Sequence, residues 1–112
     1  MIERFGEGAR ASRAVAYGDS LVTGGIVAED KQADISGQTR QVLEALEAIL
    51  QEAGCRREQL TQVQIWLADI ADFDAMNAVY DRWVSAGPRP VRATVESRLA
   101  DPGYRIEIQA CA

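Results

Sequence analysis

The chain of 112 residues contains two amphipathic helical patterns among several strand patterns, and this count constrains its fold most strongly. The first helix is predicted from about Asp34 or Ser36 to Ala53, with Gly54 as a fitting stop. The second is predicted to begin after an N-cap at Asp72, and its apolar stripe comprises Phe73, Met76, Tyr80 and Val84. Two helices can cover only one face of a sheet. The expected architecture is therefore a two-layer α+β sandwich with a mixed sheet, in one domain over residues 1–112.

The remaining segments read as strands. Residues 12–28 predict a hairpin that turns at Gly18-Asp19, and the adjacent Gly24 and Gly25 indicate a bulge or a close backbone approach. Strict alternation marks three more strands, in residues 61–68, 90–97 and 104–111. Gly87, Pro88 and Pro90 end the second helix and begin the strand PVRATVES. In that strand, the apolar residues are predicted to face the helices: Val91, Ala93 and Val95.

The same alternation predicts a second sheet face that no helix covers. That face would carry five side chains, with Gly24 and Gly25 beside them: Trp66, Arg92, Thr94, Glu107 and Gln109. Such a face can simply be solvated, as in many antiparallel sheets. A lone Trp on a small sheet is costly to leave in water, however, so a second copy of the chain could instead cover it.

Composition narrows the chemistry. The chain has no histidine, one lysine (Lys31, in a polar stretch) and a net charge of -5, so Ser-His or Cys-His catalysis is excluded and nucleic-acid binding is not favoured. Cys55 and Cys111 form no CxxC pair and read as free thiols, and no ligand spacing supports a metal site. The start shows no signal peptide and no stretch could span a bilayer, so a cytoplasmic protein without membrane contact is expected.

Arg92 is the notable charge, because it lies inside a strand. It could form an internal ion pair with Glu107 or Glu96. Alternatively, its fork of donors could hold the carboxylate of a small molecule. An arginine, a glutamate and water together suit the addition of water to a C=N or C=O carbon, since the arginine fixes the substrate and the glutamate orients the water.

Four segments resemble the RidA/YjgF family, also called the RutC family or endoribonuclease L-PSP: QTRQVLEALEAILQEAG, VQIWLADIADFDAMNAVYDRWV, PVRATVE and RIEIQACA. The similarity runs from about residue 12 to the end and is closest to the short YoaB-like branch. It implies a chorismate-mutase-like fold, assembled as a homotrimer with ligand clefts between subunits. It also implies a cofactor-free deaminase that hydrolyses reactive 2-imino acids, such as 2-iminobutanoate and 2-iminopropanoate, to 2-keto acids and ammonia.

The resemblance also implies roles for individual residues. Arg92 matches the arginine that grips the substrate carboxylate, Glu107 the glutamate that holds the hydrolytic water, and Asn77 an asparagine that lines the site. Thr94 and Gly25 are expected to act through their backbones. Gly24 is also expected in the substrate site, where it replaces a serine, and Ala11 falls where an aromatic residue usually closes the pocket. These two departures predict a wider and less polar cleft.

Three functions follow as hypotheses. The first is the imine deaminase, with Arg92 and Glu107 as catalytic residues. The second is a non-catalytic trimer that binds a 2-keto acid or another small carboxylate in a regulatory role. The third, a ribonuclease, is disfavoured because RNA cleavage would benefit from histidine or lysine and from a basic surface.

Overall fold

Both predicted helices form, and they pack on a seven-stranded mixed sheet. The computed structural model describes residues 1–112. In chain order the elements are β1 (Ile2–Phe5), β2 (Ala14–Tyr17), β3 (Ser20–Thr23), β4 (Ile26–Val27), α1 (Ile35–Glu52), β5 (Gln62–Leu67), α2 (Phe73–Val84), β6 (Val91–Glu96) and β7 (Ile106–Cys111). The strands lie side by side in the order β1-β2-β3-β7-β5-β6, and β4 also pairs with β7. The predicted α+β class with two helices and a mixed sheet is confirmed.

The sheet is mixed because α2 crosses between β5 and β6, which run parallel, whereas the other pairs are antiparallel. The core fills the space between helices and sheet. It comprises the inward faces of β5 and β7 and the apolar stripes of both helices, including Val42, Leu43, Leu46, Leu50, Val63, Ile65, Leu67, Met76, Ile106 and Ile108. The alternation predicted for β5 and β7 therefore has the correct faces.

The ends of α1 follow local rules. Asp34 is its N-cap, and the Asp34 carboxylate accepts a 2.8 Å hydrogen bond from the backbone N–H of Gly37. After the helix, Gly54 has φ +78°, a left-handed conformation that glycine adopts without strain. Asp72 does occupy the N-cap position of α2, but its side chain makes no capping bond. It lies 3.8 Å from the guanidinium of Arg105 instead, and so pairs with a cation across the fold.

Gln38 ties the loop before β7 to the start of α1. Its side chain is completely buried. Nε2 donates to the backbone oxygens of Gly103 (2.9 Å) and Ala33 (3.1 Å), and Oε1 accepts from the backbone N–H of Arg105 at 2.8 Å. Because buried backbone groups need partners, this one amide stabilises both segments.

The predicted orientation of β6 is wrong. Val91 is 70% exposed and Val95 45% exposed, so these residues do not face the helices. Arg92 pairs in register with Val63, which is 1% exposed and belongs to the core face, so Arg92 and Thr94 are on the helix side. Alternation defines which residues share a face but not which face that is. On this edge strand, aromatic and amide groups of α2 receive the cation, and the valines extend the open face of the sheet.

Two further observations complete the fold. Strand β1 was not predicted, because the short segment IERF carries no clear alternation; it forms by pairing with β2. Neither α1 nor α2 has the length and apolar composition of a membrane-spanning helix.

Candidate functional site

Arg92 lies in a cradle formed by three side chains of α2. Its Nη1 donates a 2.7 Å hydrogen bond to Oδ1 of Asn77. Its Cζ lies 4.7 Å from the ring centre of Tyr80 and 5.7 Å from that of Phe73. Both distances allow cation–π attraction. The guanidinium is thus fixed in position by neutral groups, and it forms no ion pair with Glu96 or Glu107. The internal ion pair considered from the sequence is absent.

Tyr80 and Phe73 were predicted only as members of the apolar stripe of α2, and their contact with Arg92 was missed. Tyr80 is 5% exposed, and its burial raises the pKa of the phenol, although the nearby Arg92 opposes that shift. The ring is therefore a neutral surface beneath the cation. A signal was present: Phe73, Asn77 and Tyr80 recur at i, i+4 and i+7, which places a polar amide between two aromatic rings on one helix face.

Thr94 is on the same side of β6 as Arg92, two residues further along, and pairs in register with Ile65. Its Oγ1 is buried and has no hydrogen-bond partner in the protomer. A buried hydroxyl without a partner costs free energy, on the order of 1–3 kcal/mol. The helix side of the β6 edge therefore carries an uncompensated positive charge, at Arg92, and a buried hydroxyl without a partner, at Thr94.

Glu107 is on the opposite face of the sheet. It pairs in register with Trp66 on β5 and with Val27 on β4. Trp66 is three positions from Val63, so its side chain, and that of Glu107, point away from the helices. The Glu107 carboxylate has neither a hydrogen bond nor an ion pair in the protomer.

The carboxylate of Glu107 occupies the space that a side chain at position 25 would take. A Cβ on Gly25 would overlap Oε2 of Glu107, so the missing side chain lets the carboxylate lie against the backbone. Gly24 is arranged differently: its N–H donates to the backbone oxygen of Arg13 at 2.8 Å, and that amide is already used within the fold. The close backbone approach predicted for this pair of glycines is therefore found at Gly25.

The predicted site residues thus form two groups in one protomer. The first group, Arg92, Asn77 and Thr94, lies at the β6 edge on the helix side; the second, Glu107, Gly25 and Gly24, lies near β4 and β7. Strand β5 separates β6 from β7, and Arg92 and Glu107 are on opposite faces. One protomer does not bring the predicted catalytic pair together.

Comparisons with known proteins agree with this architecture. The family model described as endoribonuclease L-PSP matches residues 1–112. The RutC family protein YoaB of Escherichia coli is 39% identical over 111 residues, which cover 99% of this chain and 96% of YoaB.

Solved structures of other proteins are also similar to this chain. A member of the YjgF protein family from Neisseria meningitidis superposes with a TM-score of 0.96 at 38% identity, covering 100% of this chain and 93% of that one. A protein from Pseudomonas aeruginosa also gives 0.96 at 38% identity, covering 100% and 97%. The chain therefore belongs to the RidA/YjgF family, which is also named RutC or endoribonuclease L-PSP.

Proposed function

We propose that this protein is a deaminase that hydrolyses reactive 2-imino acids to 2-keto acids and ammonia, without a cofactor, at sites formed between the subunits of a homotrimer. The single observation that carries the proposal is the cradle of Arg92. A half-buried guanidinium held by an amide oxygen and two rings keeps its full charge and a fixed direction. A planar carboxylate is the ligand that such a fork of donors fits best.

The separation of Arg92 from Glu107 supports an intersubunit site. Both charges lack a partner within the protomer, and they are on opposite faces. The open face is also rich in apolar side chains: Val22, Val27, Trp66, Val91 and Val95. Packing that face on a second copy would bury these residues. Because β6 is the edge strand, Arg92 would then lie at the rim of the interface, where we expect Glu107 of the other subunit to approach it. We take the number of subunits, three, from the family resemblance.

The chemistry can then be written as a balanced hydrolysis. Arg92 pairs with the carboxylate of a protonated 2-imino acid and so fixes its C=N carbon. A water held by Glu107 attacks that carbon and gives one proton to the carboxylate of Glu107. The product of this addition is a carbinolamine. Glu107 passes the proton to nitrogen, and the C–N bond breaks with its electron pair on the departing ammonia. As C=O forms, the hydroxyl gives its proton back to Glu107, which passes it to the ammonia. The net reaction converts the iminium and water to ketone and ammonium.

The test uses imines generated in situ by an amino-acid oxidase, with their disappearance followed in the presence and absence of the protein. Wild type should accelerate the loss, and Arg92→Ala should abolish the acceleration while the fold and assembly are retained. Arg40→Ala is the matched control, since Arg40 is exposed on α1 and forms no ion pair. Equal rates for wild type and Arg92→Ala would show that the assignment is wrong.

A binding role without catalysis is the second candidate, and Gly24 favours it. The position offers no side chain, and its N–H is already bonded to Arg13, so neither group is available to hold an imine nitrogen or a water. Saturable binding of 2-ketobutyrate that depends on Arg92, together with no rate above spontaneous imine hydrolysis, would establish this alternative.

A further inference from the structure

The ring of Tyr80, which lies nearer to the guanidinium of Arg92 than that of Phe73 does, is itself packed against Trp83. The ring centres of Tyr80 and Trp83 are 6.2 Å apart and their planes meet at 43°, a separation within the range of about 4.5–7 Å at which aromatic pairs attract each other. Trp83 comes three residues after Tyr80 on α2, so the two side chains are neighbours on one face of the helix. The ring beneath the cation therefore has a second ring beside it.

Trp83 is held in turn by Arg57, which begins a short 3₁₀ turn between α1 and β5. Nη1 of Arg57 donates a 2.6 Å hydrogen bond to the backbone oxygen of Trp83, and Cζ of Arg57 lies 5.3 Å from the ring centre of Trp83. Nε of the same guanidinium is 3.6 Å from Oε1 of Glu47 on α1. One arginine thus anchors both the backbone and the ring of Trp83.

The indole N–H of Trp83 takes no part in this packing. Nε1 is buried and has no hydrogen-bond partner in the protomer, which is unfavourable for a polar group. Trp83 therefore acts through its ring contacts and not through its donor. Phenylalanine at this position would keep a ring and remove the unpaired N–H, whereas leucine would remove the ring itself.

The direction of the Arg92 guanidinium depends on few contacts. Its side chain is long and flexible, and its hydrogen bond within the protomer goes to Asn77. The ring of Tyr80 is the surface on which the guanidinium rests, and because Tyr80 is 5% exposed, this ring moves only if its own neighbours move. Without the ring of Trp83, a space would open beside Tyr80 and the guanidinium would sample more directions. A fork of donors that must first be ordered loses affinity for its ligand.

We propose that Trp83 and Arg57 are positioning residues of the carboxylate site, which fix the direction of Arg92 through the ring of Tyr80. This inference rests on the proposed function, in which Arg92 holds the carboxylate of the ligand. The contacts run in a single series across the fold: Arg57, Trp83, Tyr80 and Arg92. Loss of one aromatic pair from this series should weaken the binding of a small carboxylate by roughly 2- to 10-fold.

The experiment measures the Kd of 2-ketobutyrate by calorimetry for wild type, Trp83→Leu, Trp83→Phe, Arg57→Leu and Val79→Ala. Trp83→Leu should raise Kd roughly 2- to 10-fold, Arg57→Leu should raise it in the same direction, and Trp83→Phe should bind as wild type does. Val79→Ala is the matched control, because it shortens a buried side chain of α2 outside the series and should lower stability without changing Kd. Arg57, whose side chain is 30% exposed, provides the test if Trp83→Leu does not fold. An unchanged Kd in the folded variant, or an equal rise in Val79→Ala, would overturn the inference.

A measurement without ligand separates this inference from the proposed function. The NMR signal of the Nε–Hε group of Arg92 should carry a ring-current shift from Tyr80 in wild type and in Trp83→Phe, and a smaller shift in Trp83→Leu. If no imine is hydrolysed but Kd and this shift change as expected, the deaminase proposal fails and the positioning role stands. If imines are hydrolysed and Trp83→Leu keeps the wild-type KM and the wild-type shift, the deaminase stands and the positioning role is refuted. If wild type binds no 2-ketobutyrate, there is no carboxylate site to position and the inference fails.

Discussion

Nη1 of Arg92 donates to Oδ1 of Asn77 at 2.7 Å, and this bond joins the edge strand β6 to helix α2. The amide is a neutral acceptor, so it directs the guanidinium without cancelling its charge. Tyr80 and Phe73 act in the same way through their ring faces. The arrangement therefore orients a cation and leaves it available to an anion.

Asn77→Asp should abolish carboxylate binding more completely than Asn77→Ala. The new carboxylate would accept the same hydrogen bond and neutralise Arg92, because a charge-assisted pair is stronger than the neutral one. We expect the Kd for 2-ketobutyrate to rise at least ~10-fold beyond the effect of Asn77→Ala, which removes only the orienting bond. Calorimetry measures both values. Equal Kd values for the two variants would show that the charge of Arg92 does not hold the ligand.

Gly25→Ala should impair imine hydrolysis with little loss of stability. A Cβ at this position overlaps Oε2 of Glu107, which is the mobile end of its side chain, so the carboxylate must move. We expect a fall in kcat of at least ~10-fold, typical of a misplaced catalytic group. Gly24→Ala is the control, because its Cβ meets ordinary contacts. If kcat of Gly25→Ala equals that of wild type, the position of Glu107 does not matter for the reaction.

Val95→Glu should dissociate the proposed trimer. Val95 is 45% exposed, pairs in register with Trp66, and is part of the open face. A buried charge without a partner is strongly unfavourable at an interface. Light scattering should give a mass near three times 12.2 kDa for wild type and near 12.2 kDa for the variant. A wild-type mass of one protomer would refute the trimer, and a variant that still forms trimers would place the interface elsewhere.

Gln38→Leu should destabilise the fold, even though leucine is similar in size. The substitution leaves the backbone oxygens of Gly103 and Ala33 and the N–H of Arg105 without partners. Each such buried group costs about 1–3 kcal/mol, so the free energy of unfolding should fall by roughly 3 kcal/mol or more. Urea denaturation measures this change. Gln51→Leu on the exposed side of α1 is the control, and a similar small effect in both variants would contradict the role of Gln38.

Stability should fall on the acid side partly through Asp101. The backbone N–H of Gly103, first, and Lys31, second, lower the pKa of this carboxyl below its usual 3.8. A lowered folded-state pKa stabilises the fold above the unfolded value, and this contribution is lost as pH falls through the folded value. In Asp101→Asn, urea midpoints should depend less on pH below about pH 4 than in wild type. Parallel pH profiles for the two proteins would show that Asp101 contributes nothing.

The ion pair between Lys31 and Asp101 also affects stability at high pH, through the amine of Lys31. Asp101 accepts a 2.9 Å hydrogen bond from Nζ of Lys31 and raises the pKa of that amine above 10.5. This contribution is complete below the unfolded value and is lost as pH rises through the folded one. Asp101→Asn should therefore flatten the stability profile of the protein at its alkaline end as well.

The sequence by itself determined the helices, the inward faces of β5 and β7, the turn at Gly18-Asp19 and the family. Each of these depends on local information: 3.6-residue or two-residue periodicity, a capping aspartate at Asp34, or a motif in consecutive residues. Strand β1 lacks such a pattern, and it was missed because its strand conformation comes from pairing with β2.

Only the tertiary structure decided where Arg92 points. Alternation shows which residues of a strand share a face but not which face of the sheet that is. Both faces of β6 have suitable neighbours: the open face continues the apolar surface of Trp66, and the helix side offers Asn77 and Tyr80. The guanidinium of Arg92 is stabilised by stacking on an aromatic ring, whereas the valines of β6 need no such partner. Packing therefore places Arg92 on the helix side. That choice places Arg92 and Glu107 on opposite faces of one sheet, so the proposed site requires a second copy of the chain to bring them together.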